Sequence, residues 1–465
     1  MRSLRHWSVR HASALKRVYD AGARLAPLLR RPLGWIGRRR MERVLLPIER
    51  ACKRTLFDCL MCGQCVLSST GMACPSNCAK QMRNGPCGGV RPDGGCEVHP
   101  DMRCVWVEAN DGVKRIGRPG RTYLEPIDHR LWHRSSWLRV IDGTHTVPAA
   151  AQPQPAPPRE AFAFERACKS GRLVVTVEVS PPDSADPAEL IAHAGRFRDL
   201  ADAINITDGA GANCHMSSAA AAAILAVNGL VPVAQFSCRD RNRIALQGDI
   251  LGAAALGVRN ILCLTGDDVS QGDHADAKAV FDVDSISLLR ITGRMRDGGA
   301  FASGRKLDVA PNLFLGATAN PFVPPYRDRI TNLERKIDAG ARFIQTQFCF
   351  DAPMLADFMR EVRSLGLHKR CAIIVGVGTL GSAKALRRMR EHVPGVHIPD
   401  AVLERIARAG DQRAEAKAVL IETIQAVCGI DGVAGVHLMG YRNDQVLAEA
   451  IEQSEIRRGV STHAA

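Results

Sequence analysis

Eight cysteines stand between residues 59 and 104 in the order Cys59-x2-Cys62-x2-Cys65-x8-Cys74-x3-Cys78-x8-Cys87-x8-Cys96-x7-Cys104. In a reducing compartment so dense a group of thiols reads as a metal-ligand set rather than as disulfide staples. Two [4Fe-4S] iron–sulfur clusters would use all eight, and the opening C-x2-C-x2-C together with Cys74-Pro75 approaches ferredoxin spacing. Zinc accepts the same ligands, because four-cysteine sites built on a C-x2-C knuckle are common, so both metals stand as readings. Cys52 lies slightly upstream, while Cys168, Cys214, Cys238, Cys263, Cys349, Cys371 and Cys428 scatter singly and read as reduced core residues.

A second group of reactive residues lies further along the chain. Glu178 sits among apolar neighbours in Val-Thr-Val-Glu-Val-Ser-Pro-Pro, just before a proline pair that forces the chain out of an extended strand. Burial raises the proton affinity of a carboxyl, which suits a general acid; the plainer reading is a Glu paired with a core Arg. Leu264-Thr265-Gly266-Asp267-Asp268 offers a glycine that lets backbone approach a planar ligand, followed by an acid able to hold a ligand's polar edge or simply to cap a helix. Thr207-Asp208-Gly209-Ala210, the run from Gln235 to Arg243 and Gln345-Thr346-Gln347 add polar side chains to otherwise apolar stretches. Such groups cost free energy unless partnered, so several converging at one mouth suggest a ligand site.

The elements that would position them follow from the pattern after residue 172. Short β-branched runs alternate with Ala/Leu/Arg segments of helical period, the signature of repeated βα units on a parallel sheet. Eight strands are expected, at Leu173–Ser180, Ala203–Thr207, Val231–Ser237, Val258–Thr265, Asn312–Thr318, Arg342–Gln347, Cys371–Val377 and Val433–Met439. This predicts an α/β chain with a (β/α)8 TIM barrel preceded by a small cysteine-rich metal-binding domain. A doubly wound sheet would usually have fewer strands and a Gly-x-Gly-x-x-Gly loop after the first, which is absent. Barrels of this kind carry their reactive groups at the C-terminal ends of the strands, where each candidate above falls.

The 465 residues divide at a proline-rich stretch, 147–159, expected to be an extended linker. Before it lie a basic helical segment, 1–55, and the cysteine module, 56–146; after it the barrel, 160–465. The net charge of +14 is concentrated at the start, where residues 1–55 hold fifteen Lys or Arg against Asp20, Glu42 and Glu49. That segment reads as basic helices, either a docking surface for an electron donor or a solvated face covering the module. No apolar run is long enough to span a bilayer and no secretory core is present, so no membrane span and a cytoplasmic location are expected.

Over essentially the whole of residues 170–455 the chain resembles the methylenetetrahydrofolate reductase family. The matching stretches are Val-Glu-Val-Ser-Pro-Pro, Ile-Thr-Asp-Gly-Ala, Ser-Cys-Arg-Asp-Arg-Asn-Arg, Leu-Thr-Gly-Asp, Leu-Glu-Arg-Lys-Ile-Asp-Ala-Gly-Ala and Gln-Thr-Gln-Phe-Cys-Phe-Asp. The resemblance implies reduction of 5,10-methylenetetrahydrofolate to 5-methyltetrahydrofolate by FAD, with NAD(P)H or another electron carrier as donor. It implies Glu178 as the general acid that opens the folate ring to an iminium, Asp267 as the acid that stabilises this cation, Gln347 as a folate contact and Arg442 as a weaker match for another. It places Thr207, Gln235, Thr265, Gly266, Asp267, Ala317 and Lys336 where the family holds FAD.

The chain departs from the family's pattern in several places. The family's strand-three histidine is Gln235 here, its Tyr-Pro-Glu after strand five is Ala317-Thr318-Ala319-Asn320-Pro321, an aromatic that stacks in some relatives is Met389, and an aspartate near the ribityl chain falls at Arg329, beside Asp328. These departures bear on direct nicotinamide use and flavin retention more than on folate chemistry. Through Cys-Gly-Gln-Cys, Asn-Gly-Pro-Cys-Gly-Gly and Cys-Val-Trp, roughly residues 50–110 also resemble a bacterial module found beside or fused to this reductase, which implies iron–sulfur and electron relay to the flavin.

Two rival readings remain at this level. A flavin-free, folate-dependent methyl-transfer partner would keep the barrel. A metal-stapled nucleic-acid-binding protein would use the basic segment, but few aromatics interleave with the charge and the barrel would have no role. No specific nucleic acid is therefore expected; homo-oligomerisation and an electron-donor protein remain open as partners.

Overall fold

Runs such as Val-Val-Thr-Val-Glu-Val and Ala-Ile-Ile-Val-Gly-Val-Gly favour extended backbone, because branched side chains pack well on a pleated surface. In the computed structural model they form eight parallel strands: β1 (Val174–Val179), β2 (Ala203–Ile206), β3 (Pro232–Ser237), β4 (Asn260–Leu264), β5 (Phe314–Ala319), β6 (Phe343–Phe348), β7 (Ala372–Gly378) and β8 (Val433–Met439). Each strand pairs with the next and β8 returns to β1, so the sheet closes into a barrel with no free edge. All eight expected strands are present, with ends shifted by at most two residues. The structure describes residues 2–117, 123–145, 159–378, 380–440 and 443–457. The expected linker, apart from Arg159, and the folate candidate Arg442 lie outside them.

The chain forms two compact units, one comprising residues 1–87, 93–152 and 282–284 and the other the remainder. In the second unit one end of the barrel is filled by Val174, Ala203, Val233, Leu262, Phe314, Phe343 and Ile374, all buried, against which Phe164 packs with ring centroids 5.7 Å from Phe314 and 5.1 Å from Phe343. These residues come from the starts or middles of their strands, so the apolar plug leaves the C-terminal rim for polar groups. Several of the helices that return the chain begin with side chains able to accept the first unpaired N–H groups. Asn242 accepts those of Ile244 and Ala245, and Asp351 that of Met354.

Asp202, on the turn leading into β2, ties the start of the barrel together. It receives Arg172 at 2.5 Å, Arg457 at 3.1 Å and the Val175 N–H at 2.9 Å. Burial raises its carboxyl, but these partners outweigh burial and hold it below the ordinary value of 3.8. Asp202→Asn is expected to cost about 2 kcal/mol in urea unfolding at neutral pH, since two guanidinium groups lose their counter-ion. Because the folded carboxyl sits below its unfolded value, its contribution is complete above that value and lost as pH falls through the folded one. The gap between wild type and variant should therefore close on acidification below about pH 4.

In the first unit six helices surround the cysteine loops: α1 (Arg2–Arg10), α2 (Ala12–Leu25), α3 (Arg30–Ile36), α4 (Arg38–Phe57), α5 (Val105–Ile116) and α6 (Ser136–Ile141). One of its apolar clusters buries Ala12, Phe57, Leu67, Met72 and Cys74 together. Buried ionic contacts supplement it. Lys53 on α4 donates to Glu49 and to the Ser136 hydroxyl, each at 2.6 Å, and Arg5 meets Glu108 at 3.1 Å. Among the described residues no helix is long and apolar enough to cross a membrane.

Candidate active site

Glu178 is the penultimate residue of β1 and its side chain is 26% exposed, so it lies at the rim rather than sealed in the core as its apolar neighbours suggested. No Arg meets it. The Gln235 amide on β3 donates to Glu178 Oε2 at 3.3 Å, and His437 Nε2 on β8 lies 3.8 Å from the same oxygen. Oε1 has no partner among the described residues. One oxygen is therefore oriented by an amide and the other is left for something else.

A polar layer crosses the barrel between this rim and the apolar plug. Asn205 on β2 and Gln345 on β6, which are not neighbouring strands, exchange hydrogen bonds of 2.6 and 3.0 Å through the interior. Gln345 also donates to the Thr176 hydroxyl at 3.1 Å and lies 3.3 Å from His437 Nδ1, which is 2.9 Å from the same hydroxyl. In the tautomer whose Nδ1 accepts the Thr176 hydroxyl proton, the imidazole proton sits on Nε2, the nitrogen facing Glu178. Thr176, Asn205 and His437 were not singled out from the sequence.

The rim is completed by neighbouring strands. Thr207, one residue past β2, is buried, and its hydroxyl oxygen has no hydrogen-bond partner among the described residues. Thr265, Gly266 and Asp267 follow β4. Gly266 has φ +95°, and a Cβ there would stand 2.3 Å from the Ser237 hydroxyl, so glycine is demanded by the turn itself. Asp267 is exposed and accepts the Gly211 N–H at 2.9 Å, whereas Asp268 caps the short turn that follows. Gln347, near the end of β6, is half-buried and accepts its neighbour Phe348's N–H at 3.0 Å.

Asp208 is occupied structurally. It pairs with Arg241 and accepts the Ser237 N–H at 2.7 Å and the Ser218 hydroxyl at 3.1 Å. Burial raises its carboxyl, and Arg241 and these donors only partly offset that effect.

Not every candidate reaches the rim. Ala317 is fully buried, and since Phe314 on the same strand faces the lumen plug, alternation turns Ala317 toward the surrounding helices. Lys336, on the helix Tyr326–Asp338, reaches the end of β5 by donating to the Thr318 carbonyl at 2.6 Å. Met389 packs with Leu386, Val396, Ile398 and Leu403 in a core of outer helices, so it does not stand in for a stacking aromatic at the rim. Arg329 spends its guanidinium on the Val323 and Pro324 carbonyls, which accounts for a cation where an acid was sought.

The cysteines form two neighbourhoods. Cys59, Cys62, Cys65 and Cys74 line one cavity, with Lys53 and Glu49 also on its wall. Burial pushes the Cys74 thiol up, and Cys62, Cys59 and Cys65 push it further. Cys78 is pushed up to about 12 by burial, then by Cys104 and, more weakly, by Cys96. Cys87 is raised by burial and by Glu97, with Cys104 and Cys78 among its neighbours. Among the described residues no three His, Cys, Asp or Glu side chains are drawn into a metal-ready arrangement, so these are neighbourhoods rather than closed coordination shells.

Comparison with known proteins bears on the barrel and on the segment before it. A family model described as methylenetetrahydrofolate reductase matches residues 163–455, and a second, described as methylene-tetrahydrofolate reductase C terminal, matches residues 39–132. A probable methylenetetrahydrofolate reductase (NADPH) from Caenorhabditis elegans is 27% identical over 188 residues, 40% of this chain and 26% of that protein. The 5,10-methylenetetrahydrofolate reductase of Pectobacterium carotovorum is 25% identical over 245 residues, 52% of this chain and 76% of that protein. The chain thus spans only about a quarter of the animal relative's length. A Clostridium thermocellum protein described as binding two copies of 5-methyl-5,6,7,8-tetrahydrofolic acid superposes with a TM-score of 0.44 at 15% identity, covering 63% of this chain and 98% of its own. With its model matched across residues 163–455, the chain belongs to the methylenetetrahydrofolate reductase family.

Proposed function

We propose that the protein reduces 5,10-methylenetetrahydrofolate to 5-methyltetrahydrofolate in a flavin-dependent reaction at the C-terminal rim of the barrel. The observation that carries this reading is Glu178: a rim carboxyl with Oε2 held by the Gln235 amide and Oε1 left unpartnered among the described residues. An amide N–H can donate to Oε2 whether the carboxyl is ionised or protonated, so the transferable proton belongs on Oε1. From there it reaches a folate nitrogen, and ring opening leaves a cationic iminium. Asp267, exposed just past β4, supplies the negative charge that favours this cation. Gln347 is the candidate to hold the pterin. His437 Nε2, oriented by the polar layer, lies beside Glu178 and can help return the proton.

FAD, when bound, supplies the hydride. The residues present fit such a group: the buried Thr207 hydroxyl is a donor without an acceptor among the described residues, and Thr265, Gly266 and Lys336 border the same end of the barrel. Removing that hydroxyl should separate ligand binding from folding. Thr207→Val is expected to leave the flavin-free protein as stable or slightly more so, while flavin retention weakens about tenfold. Fluorescence titration and thermal melting of the apoprotein measure the two.

The cysteine sets fit iron–sulfur clusters in number and chemistry, Cys59, Cys62, Cys65 and Cys74 holding one and Cys78, Cys87, Cys96 and Cys104 the other, with electron relay as the chemistry supplied. The test of the whole reading is a spectrum. Purified protein should show flavin absorbance that bleaches on reduction and returns when methylenetetrahydrofolate is added under argon. Protein that neither retains nor rebinds flavin would refute the reading.

A further inference from the structure

Helix α4 is inverted with respect to ordinary amphipathicity. Its buried face carries Glu42, Glu49, Lys53 and Phe57, while Val44, about 200° around the helix from Glu42, and Ile48, about 100° from Glu49, face outward at 63% and 51% exposure. The exposed apolar residues continue through the preceding turn and α3. Leu25, Leu28, Leu29 and Ile36 are exposed, and Trp35 is 91% exposed. Single exposed apolar residues are ordinary, but a consecutive group including a bare tryptophan marks an interaction surface.

The charge on this segment identifies what it meets. Residues 21–41 contain six arginines and no acid. Arg30 and Arg38 are engaged by the Ile141 carbonyl and Asp142. Arg24, Arg31, Arg39 and Arg40, with Arg43 just beyond, are exposed and have no carboxylate partner among the described residues. An acidic protein would match the guanidinium groups yet leave the aliphatic side chains between them in water. An anionic bilayer supplies phosphates for the arginines and, a few ångströms deeper, an apolar medium for Leu28 and Trp35.

We infer that the turn from Leu25 through α3 to the start of α4 is a peripheral docking surface for anionic phospholipid, lying on the membrane rather than crossing it. This is independent of the folate reading, since none of these residues belongs to the barrel.

The experiment is co-sedimentation of the full-length protein with vesicles of phosphatidylcholine containing about a third phosphatidylglycerol, against phosphatidylcholine alone. Partition onto the anionic vesicles should be at least roughly tenfold stronger, and Leu28→Ser/Trp35→Ser should reduce it about tenfold with the thermal midpoint unchanged. Arg39→Gln/Arg40→Gln provides a second variant that disturbs no apolar contact, and it should weaken binding on its own. Wild type remaining in the supernatant overturns the proposal. So does binding indifferent to Leu28→Ser/Trp35→Ser, which would be adsorption by charge alone. A fall in solution mass on that double substitution without vesicle binding also overturns it, by assigning the face to a second copy of the chain.

Discussion

Glu178→Gln is expected to lower turnover of 5,10-methylenetetrahydrofolate roughly a hundred- to ten-thousand-fold, the range removed when a positioned proton donor is lost. The substitution keeps the shape and keeps an oxygen for the Gln235 amide, so the rim should survive it. What disappears is the proton on Oε1, and an amide cannot replace it. The loss should therefore appear in the half-reaction with folate, while reduction of bound flavin by dithionite proceeds at the wild-type rate. Stopped-flow absorbance separates the two steps. Equal loss in both would mean that the side chain organises the flavin site, and full retention of folate turnover would remove Glu178 from the chemistry. Gln235→Leu is a milder perturbation of the same carboxyl, because Oε2 would lose its oriented donor while Oε1 kept its proton.

What could be read in advance follows from how far apart the partners lie in sequence. The eight strands were legible because each is a short, local run of branched residues, and Glu178 was legible because a carboxylate among Val residues before Pro181-Pro182 is locally conspicuous. The polar layer was not. Asn205 and Gln345 each look like a stray polar residue in an apolar strand, and only closure of the barrel brings them together across 140 positions. Ala317 shows a different failure. Phe-Leu-Gly-Ala-Thr-Ala is apolar or small on both faces, so the phase of inside and outside on β5 has no sequence signal and came only from the position of Phe314. Met389 belongs to a core of outer helices whose partners, Val396 to Ile406, follow a turn that its own helical period does not foretell.

The module's thiols should separate into two independent sets when they are removed one at a time. Cys74→Ser is expected to eliminate about half of the protein's iron and acid-labile sulfide per chain, and Cys78→Ser the other half, because each serine alcohol remains protonated where a thiolate is needed. Spatial neighbours set this division. The opening knuckle and Cys74 line one cavity, whereas Cys78, only four residues later, finds Cys104 and Cys96 as its neighbours, so the boundary falls between two cysteines adjacent in the series. The electrostatics of the two sets also differ. Lys53, buried and raised above its usual range despite burial, with Cys65 and then Glu49 the main contributors, sits on the wall of the first cavity. In the second, the Cys87 sulfur is 3.1 Å from the Glu97 carboxylate, itself paired with Lys80 at 2.5 Å. Iron and sulfide analysis of the two variants, with exposed Cys52→Ser as the control that should lose none, measures the prediction. Loss of all metal from either single variant would show one shared site, and zinc without sulfide in wild type would replace redox relay with a structural staple.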